Sequence, residues 1–222
     1  MELLGLSPTN QLKLLSNLLD LFYPPVCVYC CADGIWCCES CINKIDFHVD
    51  SPKIEGIDRV YVVSSYANPV LRKLLTLYKY SSALCLESAL ILLLDRWYKG
   101  SVLSQERVDA IVPTPTDFRH IEERGFDHAV RLSLVMQRYF TSAPVLTILQ
   151  RMRRIDAHAE IDDRQARLGN VSGAFSALQA CPNRVLLIDD VTTSGATLKE
   201  SARVLRARGA TYVIAFIFAN SG

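Results

Sequence analysis

One stretch near the end of the chain, residues 185–197, most constrains the fold. Its first four residues are apolar and have the length and composition of a buried strand. Asp189 and Asp190 follow directly, and small hydroxyl residues then lead through Gly195 into a helix predicted over 198–208. A strand that is apolar on both faces is typical of a parallel sheet, because helices must cover each of its faces. The stretch therefore predicts one strand–loop–helix unit of an α/β protein.

The same alternation extends over most of the chain after residue 58. Runs of β-branched and aromatic residues alternate with segments whose apolar residues repeat at helical spacing. Such alternation predicts βαβ units and a parallel sheet. The predicted strands are Arg59–Ser65, Val108–Val112, Val145–Leu149, Arg184–Ile188 and Tyr212–Phe218. Four helices are predicted among them: the first begins at Pro69 after Asn68 as its N-cap, the second includes Leu86–Leu93, the third ends at about Tyr139, and the fourth spans Leu198–Arg208.

The residues around Gly195 have the composition of a phosphate-binding loop. Backbone N–H groups converge where a helix begins, and the helix dipole favours an anion at the same place. The hydroxyls of Thr193, Ser194 and Thr197 can donate further hydrogen bonds. The two preceding carboxylates would repel a phosphate at contact distance, so we expect them to face hydroxyl groups or a divalent metal. A phosphate beside an acid pair that binds a diol describes a site for ribose 5-phosphate.

Six of the eight cysteines lie within fifteen residues, after an amphipathic helix predicted over residues 12–22. Cys27-x2-Cys30 and Cys38-x2-Cys41 form two knuckles, whose four thiolates would complete the tetrahedral shell of a zinc ion. A shell of four cysteines leaves no open position for a substrate. The spacing therefore predicts a structural zinc site rather than a catalytic one.

The two other cysteines of the cluster leave the ligand set open. Cys31 and Cys37 each adjoin a predicted ligand, so pairs of Cys27 with Cys31, or of Cys37 with Cys41, are alternatives. A disulfide framework is not expected, because Met1-Glu2-Leu3-Leu4 lacks the basic residues that begin a signal peptide. No apolar stretch approaches the roughly 20 residues that cross a bilayer. We therefore expect a cytoplasmic protein with no membrane span and with reduced cysteines.

The balance of charges gives no general attraction to nucleic acid. The chain has 24 Lys+Arg against 23 Asp+Glu and a net charge of +1, so nucleic-acid binding would require a local patch. Tyr78-Lys79-Tyr80 and Trp97-Tyr98-Lys99 interleave aromatic and basic residues, as the stacking platforms of single-strand binders do. The same aromatic residues also suit the core side of a helix, and this second interpretation is favoured.

Taken together, the motifs resemble those of the ComF family of competence proteins, which are similar to amidophosphoribosyltransferases. VLLIDDVTTSGAT, residues 185–197, resembles the motif with which type I phosphoribosyltransferases bind phosphoribosyl pyrophosphate (PRPP). The resemblance covers nearly the whole chain, and the motifs occur in the order of the family. The others are Phe22-Tyr23-Pro24-Pro25, the cysteine knuckles, Tyr78-Lys79-Tyr80, Val112-Pro113-Thr114-Pro115, Arg124-Gly125-Phe126 and Arg167–Phe175.

The resemblance implies an architecture in two parts. Residues 1–55 would form an N-terminal helix and a small zinc-binding module with four cysteine ligands. Residues 56–222 would form a type I phosphoribosyltransferase-like domain, an α/β fold with a parallel sheet flanked by helices.

The resemblance also implies roles for single residues. Asp189 and Asp190 would bind the ribose 2′- and 3′-hydroxyls and be the candidate catalytic pair, while Thr193–Thr197 would bind the 5-phosphate. The loop Pro113–Thr116 and Arg124 would face the pyrophosphate, and Mg²⁺ would bridge pyrophosphate and ribose oxygens. The complete PRPP-binding set is Pro113, Thr114, Arg124, Asp189, Asp190, Val191, Thr192, Thr193, Ser194, Gly195, Ala196 and Thr197.

The sequence departs from the family pattern at two places. Asp127, followed by His128, stands where the family usually has Asn, and His158 stands where it often has Gln. His158 lies in the aperiodic segment 151–167, which corresponds to the family's mobile loop over the site and whose five arginines suit phosphate oxygens. We expect both histidines to be surface or capping residues.

Three functions compete. The resemblance implies a PRPP-binding competence protein that assists uptake and handling of imported single-stranded DNA, with a competence helicase or other DNA-uptake proteins as partners. An active phosphoribosyltransferase is less favoured, because only about four residues follow Phe218, where such enzymes usually recognise the base. An interaction protein with a relic PRPP site is less favoured because both acids and Gly195 are present. The first function is the expectation.

Overall fold

The computed structural model describes residues 24–47, 49–80, 84–152 and 173–222. The predicted helix over residues 12–22, His158 and most of the segment 151–167 lie outside these ranges. The described helices are α1 (Glu39–Ile42), α2 (Pro69–Tyr80), α3 (Glu87–Gly100), α4 (Phe118–Arg124), α5 (His128–Met136) and α6 (Ala196–Ala207). The strands are β1 (Arg59–Ser65), β2 (Ala110–Pro113), β3 (Leu149–Arg151), β4 (Phe175–Ala177), β5 (Arg184–Thr192) and β6 (Tyr212–Asn220).

Four parallel strands form the central sheet in the order β1-β6-β5-β2. The two middle strands, β5 and β6, are buried over most of their length, as expected where helices cover both faces of a parallel sheet. The predicted α/β class with a parallel sheet flanked by helices is confirmed. No helix in the described ranges has both the length and the apolar character needed to cross a bilayer.

One predicted strand, Val145–Leu149, is wrong in its extent and pairing. Val145 makes only an isolated parallel bridge to Ile111. The strand begins at Leu149 instead, and it pairs antiparallel with β4 in a separate two-stranded sheet. The apolar run is too short to distinguish a central strand from a bridge followed by an edge strand, and the partner that decides between them lies far along the chain.

Side chains of β5 alternate between the two faces of the sheet. Leu186 and Ile188 belong to the core that contains the buried residues of α2, α3 and α5. Val185 and Leu187 belong to a second core, with buried residues of α6, β3 and β4. The two-residue period of a strand then directs Asp190 to the side of α2 and α5. The alternation that builds the cores therefore also selects the surroundings of Asp190.

The strand β5 extends four residues beyond its predicted end, to Thr192. Its neighbour β2 stops at Pro113, opposite Ile188, whereas β6 continues beside it and pairs Asn220 with Thr192. The carboxylates at 189 and 190 thus belong to the strand and do not follow it. They lie where β6 still accompanies β5 but β2 has ended.

The cysteine-rich module packs against the helices of the first core. Cys27, Cys41 and Ile42 are buried in the same cluster as the apolar residues of α2 and α3. Asn68 connects the two parts: its Oδ1 accepts hydrogen bonds from the backbone N–H groups that begin α2, at 3.1 and 3.2 Å, as its predicted capping role requires. Its Nδ2 donates to the carbonyl oxygen of Lys44, at 2.8 Å.

We predict that Asn68→Ala lowers the free energy of unfolding by about 1–2 kcal/mol, the usual effect of losing a helix cap. Asn68→Asp keeps the capping oxygen and loses only the donor to Lys44, so its loss should be smaller. Urea denaturation of the three proteins measures both effects. Equal losses for the two variants would show that the bond to the cysteine-rich module, and not the cap, stabilises this junction.

Candidate functional site

An ion pair lies at the carboxyl end of β5, between Asp190 and the last turn of α2. The Nζ of Lys79 is 2.6 Å from Oδ2 of Asp190, whose side chain is only 6 % exposed, while that of Lys79 is 24 % exposed. The other oxygen, Oδ1, accepts from the backbone N–H of Val191 at 2.6 Å. The Lys79 contact is a charge contact rather than an aligned hydrogen bond, so the buried Oδ2 has no aligned donor. Asp190 therefore keeps the capacity to accept one.

The neighbouring carboxylate, Asp189, is also buried but carries a different charge balance. Burial first, and the charge of Asp190 second, raise the pKa of Asp189 to about 7. Its Oδ1 accepts from the backbone N–H of Asp190 at 2.9 Å, and a hydrogen bond from the side chain of Thr114 opposes the shift. The two acids therefore differ: Asp190 is paired with the ammonium of Lys79, whereas the raised pKa of Asp189 favours its protonated form.

His128 lies beside the acid pair and is buried, so its predicted position at the surface is wrong. It is the first residue of α5 and is buried, with Nε2 3.5 Å from Oδ2 of Asp190. Its Nδ1 is 3.1 Å from Nη1 of Arg124. Because a guanidinium only donates, Nδ1 must accept, which places the ring proton on Nε2, facing Asp190. Burial lowers the pKa of His128, although the charge of Asp190 acts in the opposite direction.

The residue that caps α5 is Asp127, not His128. Its Oδ1 accepts from the backbone N–H groups of Ala129 and Val130, at 2.9 and 3.2 Å, and from the hydroxyl of Thr116, at 2.9 Å. This cap fixes the first turn of α5. The histidine that begins the turn is thereby held toward the end of β5.

The loop between β5 and α6 needs glycine at its last position. Gly195 has φ +72°, and a Cβ there would lie 2.9 Å from Cδ1 of Ile54. Gly195 is the N-cap of α6 and offers no capping side chain; the Oγ of Ser194 accepts weakly from the N–H of Ala196, at 3.4 Å. Thr193 and Ser194 are exposed. The first turn of α6 therefore presents backbone donors and hydroxyls at the surface, the arrangement expected of an anion site.

The other predicted ligand-binding residues are distributed around this strand end. Thr114 follows β2, is buried, and donates its backbone N–H to the carbonyl oxygen of Ile188 at 2.9 Å. Arg124 contacts His128, which lies beside Asp190. Thr192 is buried, and its carbonyl oxygen accepts from the backbone N–H of Ser221 at 2.9 Å. The structure thus brings Thr114 and Arg124 near the acids, and shows Thr192 as the last residue of the central strand β5.

The sequence does not single out Lys79 as a site residue. Its run, Tyr78-Lys79-Tyr80, shows only a family motif and a weak stacking pattern. Tyr78 is 1 % exposed and donates its hydroxyl to Oε1 of Glu87 at 3.3 Å, and Trp97 packs edge-on against Phe216. The favoured interpretation as core residues is confirmed for Tyr78 and Trp97. A lysine next to a tyrosine that faces the core was the available signal.

The predicted zinc ligands are brought together. Ligand atoms of Cys27, Cys30, Cys38 and Cys41 all lie within 4.8 Å of one another, a set that could hold a metal ion. The Sγ atoms of Cys30 and Cys38 are 3.5 Å apart. Burial opposes a thiolate at Cys27, but backbone N–H groups, those of Cys30 and Cys38 foremost, outweigh it and lower its pKa to about 6. Four sulfurs at these distances are consistent with structural zinc.

Cys37 belongs to the surroundings of this cluster, not to the group of four. It is fully buried, and burial raises its pKa to about 12, so it remains a thiol. Its thiol hydrogen-bonds to the sulfur of Cys27. Cys31 is exposed and has a left-handed backbone, with φ +59°. Neither alternative pairing is the one that the structure assembles.

The described residues form an α/β protein with a buried acid pair at the carboxyl end of a central strand and a cluster of four thiols that could hold a metal ion. No family model matches the sequence. The chain is similar to Competence protein F of Haemophilus influenzae, with 25 % identity over 190 residues, which cover 83 % of this chain and 80 % of that protein. This similarity confirms the resemblance and supports a ComF-family relationship.

A local similarity links the chain to a protein of a different kind. Transcriptional regulator GfcR of Methanoculleus marisnigri is 47 % identical over 49 residues, 22 % of this chain and 23 % of that protein. The match concerns a segment and not the whole molecule.

Serine at any one of the four clustered cysteines is expected to release the metal and unfold the cysteine-rich module, because binding energy at such sites is folding energy. Cys31→Ser and Cys37→Ser are the matched controls and should retain it. Metal analysis of the purified variants gives the stoichiometry. Retention by Cys30→Ser together with loss by Cys31→Ser would overturn the ligand assignment.

A second prediction concerns the pH dependence of stability. The folded pKa of Asp189, about 7, lies above the usual value of about 3.9, so folding takes up a proton. The stability contributed by this group is complete below about pH 4 and is lost as the pH rises through 7. Asp189→Asn removes that loss, so its melting temperature relative to the unchanged protein should rise between pH 4 and pH 8.

Asp190→Asn is the control for this measurement. At pH 8 it should be destabilised by about 1–3 kcal/mol, because it leaves the ammonium of Lys79 without its carboxylate. Parallel melting curves for the two asparagine variants across this pH range would contradict the distinction between the two acids.

Proposed function

We propose that this chain is a phosphoribosyltransferase-like competence protein that binds PRPP, or a related phosphoribosyl ligand, at the carboxyl end of β5. The similarity to Competence protein F over most of both chains supports a competence-related role. The finer part of the proposal is that ligand binding assists the handling of imported single-stranded DNA, together with a helicase or other DNA-uptake proteins in the cytoplasm.

The observation that carries the ligand proposal is the state of Asp190. Its Oδ2 is buried, in contact with a positive charge, and without an aligned hydrogen-bond donor. A buried acceptor of this kind normally has a donor. The hydroxyls of a ribose diol would supply donors of the right type, and Asp189, which is buried beside it, can accept from a second hydroxyl.

The proposed site for the 5-phosphate is separate from the acid pair. The loop 193–195 and the first turn of α6 offer backbone N–H groups, two exposed hydroxyls and the positive end of the helix dipole. The side chain of Ile54 lies beside Gly195 in this loop. The last residues of β5 would separate a phosphate bound here from the two acids. The donors of the loop would then attract the phosphate, and the two carboxylates would be too far away to repel it at contact distance.

The two implied metals fit the residues differently. The four thiols fit a zinc ion, which would stabilise the module and take no part in a reaction. His128, Asp189 and Asp190 also have ligand atoms within 4.8 Å of one another, but the ammonium of Lys79 already contacts Asp190. The acid pair does not fit a magnesium ion beside that ammonium, and the proposal includes no step through magnesium.

The division into residues 1–55 and 56–222 also remains a proposal. Ile54 lies against Gly195, and Glu55 pairs with Lys199 on α6. The segment that leads from the module to the sheet therefore helps to shape the loop proposed for the phosphate.

Calorimetric titration tests ligand binding. PRPP should bind more tightly than ribose 5-phosphate, because its pyrophosphate adds contacts with the cations near the acid pair. Asp190→Asn should weaken PRPP binding by about 1–3 kcal/mol, the usual loss for a charged hydrogen-bond partner. Asp50→Asn, at an exposed carboxylate outside the site, is the matched control. Equal affinity for the two ligands would exclude a pyrophosphate site.

Transformation frequency tests the cellular part of the proposal. The double change Asp189→Asn with Asp190→Asn should lower the frequency while zinc content and a cooperative melting transition are retained, since isosteric amides create no cavity. Unchanged transformation would favour the interaction protein, in which the zinc module binds a partner and the acid pair is a relic. Release of pyrophosphate from PRPP when a nucleobase is added would favour the active enzyme.

A further inference from the structure

We infer that Lys79 supplies, from within the chain, the positive charge that a divalent cation would otherwise supply at the acid pair. It follows that a phosphoribosyl ligand binds there without a protein-bound magnesium ion. The second statement rests on the proposed function, whereas the first concerns the ligand-free protein.

The position of the ammonium supports this inference. Lys79 Nζ lies 2.6 Å from Oδ2 of Asp190, a buried oxygen with no aligned hydrogen-bond donor. A magnesium ion binds a carboxylate oxygen at about 2.0–2.1 Å and requires near-octahedral oxygen ligands. Two cations cannot share one buried oxygen at such distances without strong repulsion. Because Oδ1 of the same carboxylate faces the N–H of Val191, the metal would have to displace the lysine.

Packing holds the lysine in place. The ring of Tyr78 is buried and meets that of Phe126 edge-on, with centroids 5.7 Å apart, and its hydroxyl donates to Glu87. This contact fixes the end of α2, and the next residue, Lys79, extends toward β5. A positive charge in the last turn of a helix is also favoured by the helix dipole.

The same contact places two cations around the acid pair. Phe126 lies two residues after Arg124, whose guanidinium reaches His128, which in turn faces Asp190. The aromatic pair Tyr78–Phe126 thus joins the segment carrying Lys79 to the segment carrying Arg124. An ammonium has three N–H groups, so Lys79 can contact Asp190 and an anionic ligand oxygen together. It therefore selects ribose phosphates that carry an anionic group next to the diol.

The first experiment uses no phosphoribosyl ligand. Zinc-loaded protein is titrated with Mn²⁺, a spectroscopic substitute for Mg²⁺, and binding is followed by electron paramagnetic resonance. The unchanged protein should show no manganese site that depends on Asp190. Lys79→Met should gain such a site and bind manganese at least tenfold more tightly than the unchanged protein. Adding Asp190→Asn to Lys79→Met should abolish this site again. Lys73→Met, on the same helix and outside the site, should behave like the unchanged protein.

The second experiment measures PRPP affinity in buffers with and without Mg²⁺, without a chelator, so that zinc is retained. Magnesium should change the affinity of the unchanged protein less than threefold. Lys79→Met should lose at least tenfold without magnesium and recover part of the loss with it, and Lys79→Arg, which keeps the charge, should remain independent of magnesium.

The inference is overturned if the unchanged protein binds manganese at a site that Asp190→Asn abolishes, or if magnesium strengthens its PRPP binding tenfold. Should PRPP not bind at all, the proposed function fails, and the manganese titration still decides the role of Lys79. If Lys79→Met does not fold, the inference is still tested. The unchanged protein is titrated with manganese, and the effect of magnesium on PRPP affinity is measured for the unchanged protein and for Lys79→Arg.

Discussion

Burial of β5 on both faces is the constraint on which the rest of the molecule depends. A strand covered on both sides must carry apolar residues at every position within the core, and the two-residue period then assigns each to one face. Beyond the core, the side chains of β5 keep this two-residue alternation, which therefore also orients the two acids. Asp190 meets the helices of one face, α2 and α5, and each provides one contact: an ammonium and an imidazole. The alternation of side chains along β5 thus builds both the core and the site.

The sequence predicted the elements whose signals are local. The strand Arg59–Ser65, the cap at Asn68, the loop at Gly195 and the four clustered cysteines follow from composition and spacing alone. What could not be predicted depends on pairing between distant segments. The end of β5 is set by how far β6 accompanies it, and the short strand at Leu149 exists only because β4 pairs with it.

The same limit applies to the candidate site. The acids and the glycine loop form one continuous motif, so their chemistry can be inferred from the sequence. Lys79 and His128 come from two other helices, and neither has a pattern that separates a surface residue from one beside a carboxylate. The burial of Tyr78 orients the side chain of Lys79, and the cap at Asp127 orients that of His128. Both features exist only in the folded chain.

The contact of Ile54 with Gly195 joins two positions far apart in the chain. A side chain at position 195 would require a left-handed backbone and would also displace the side chain of Ile54, so the loop is restricted by a neighbouring segment as well as by its own backbone. The segment before β1 is consequently not a passive linker. A change in the length of this segment or in the bulk of residue 54 is therefore expected to alter the geometry of the loop even when every residue of the loop is kept.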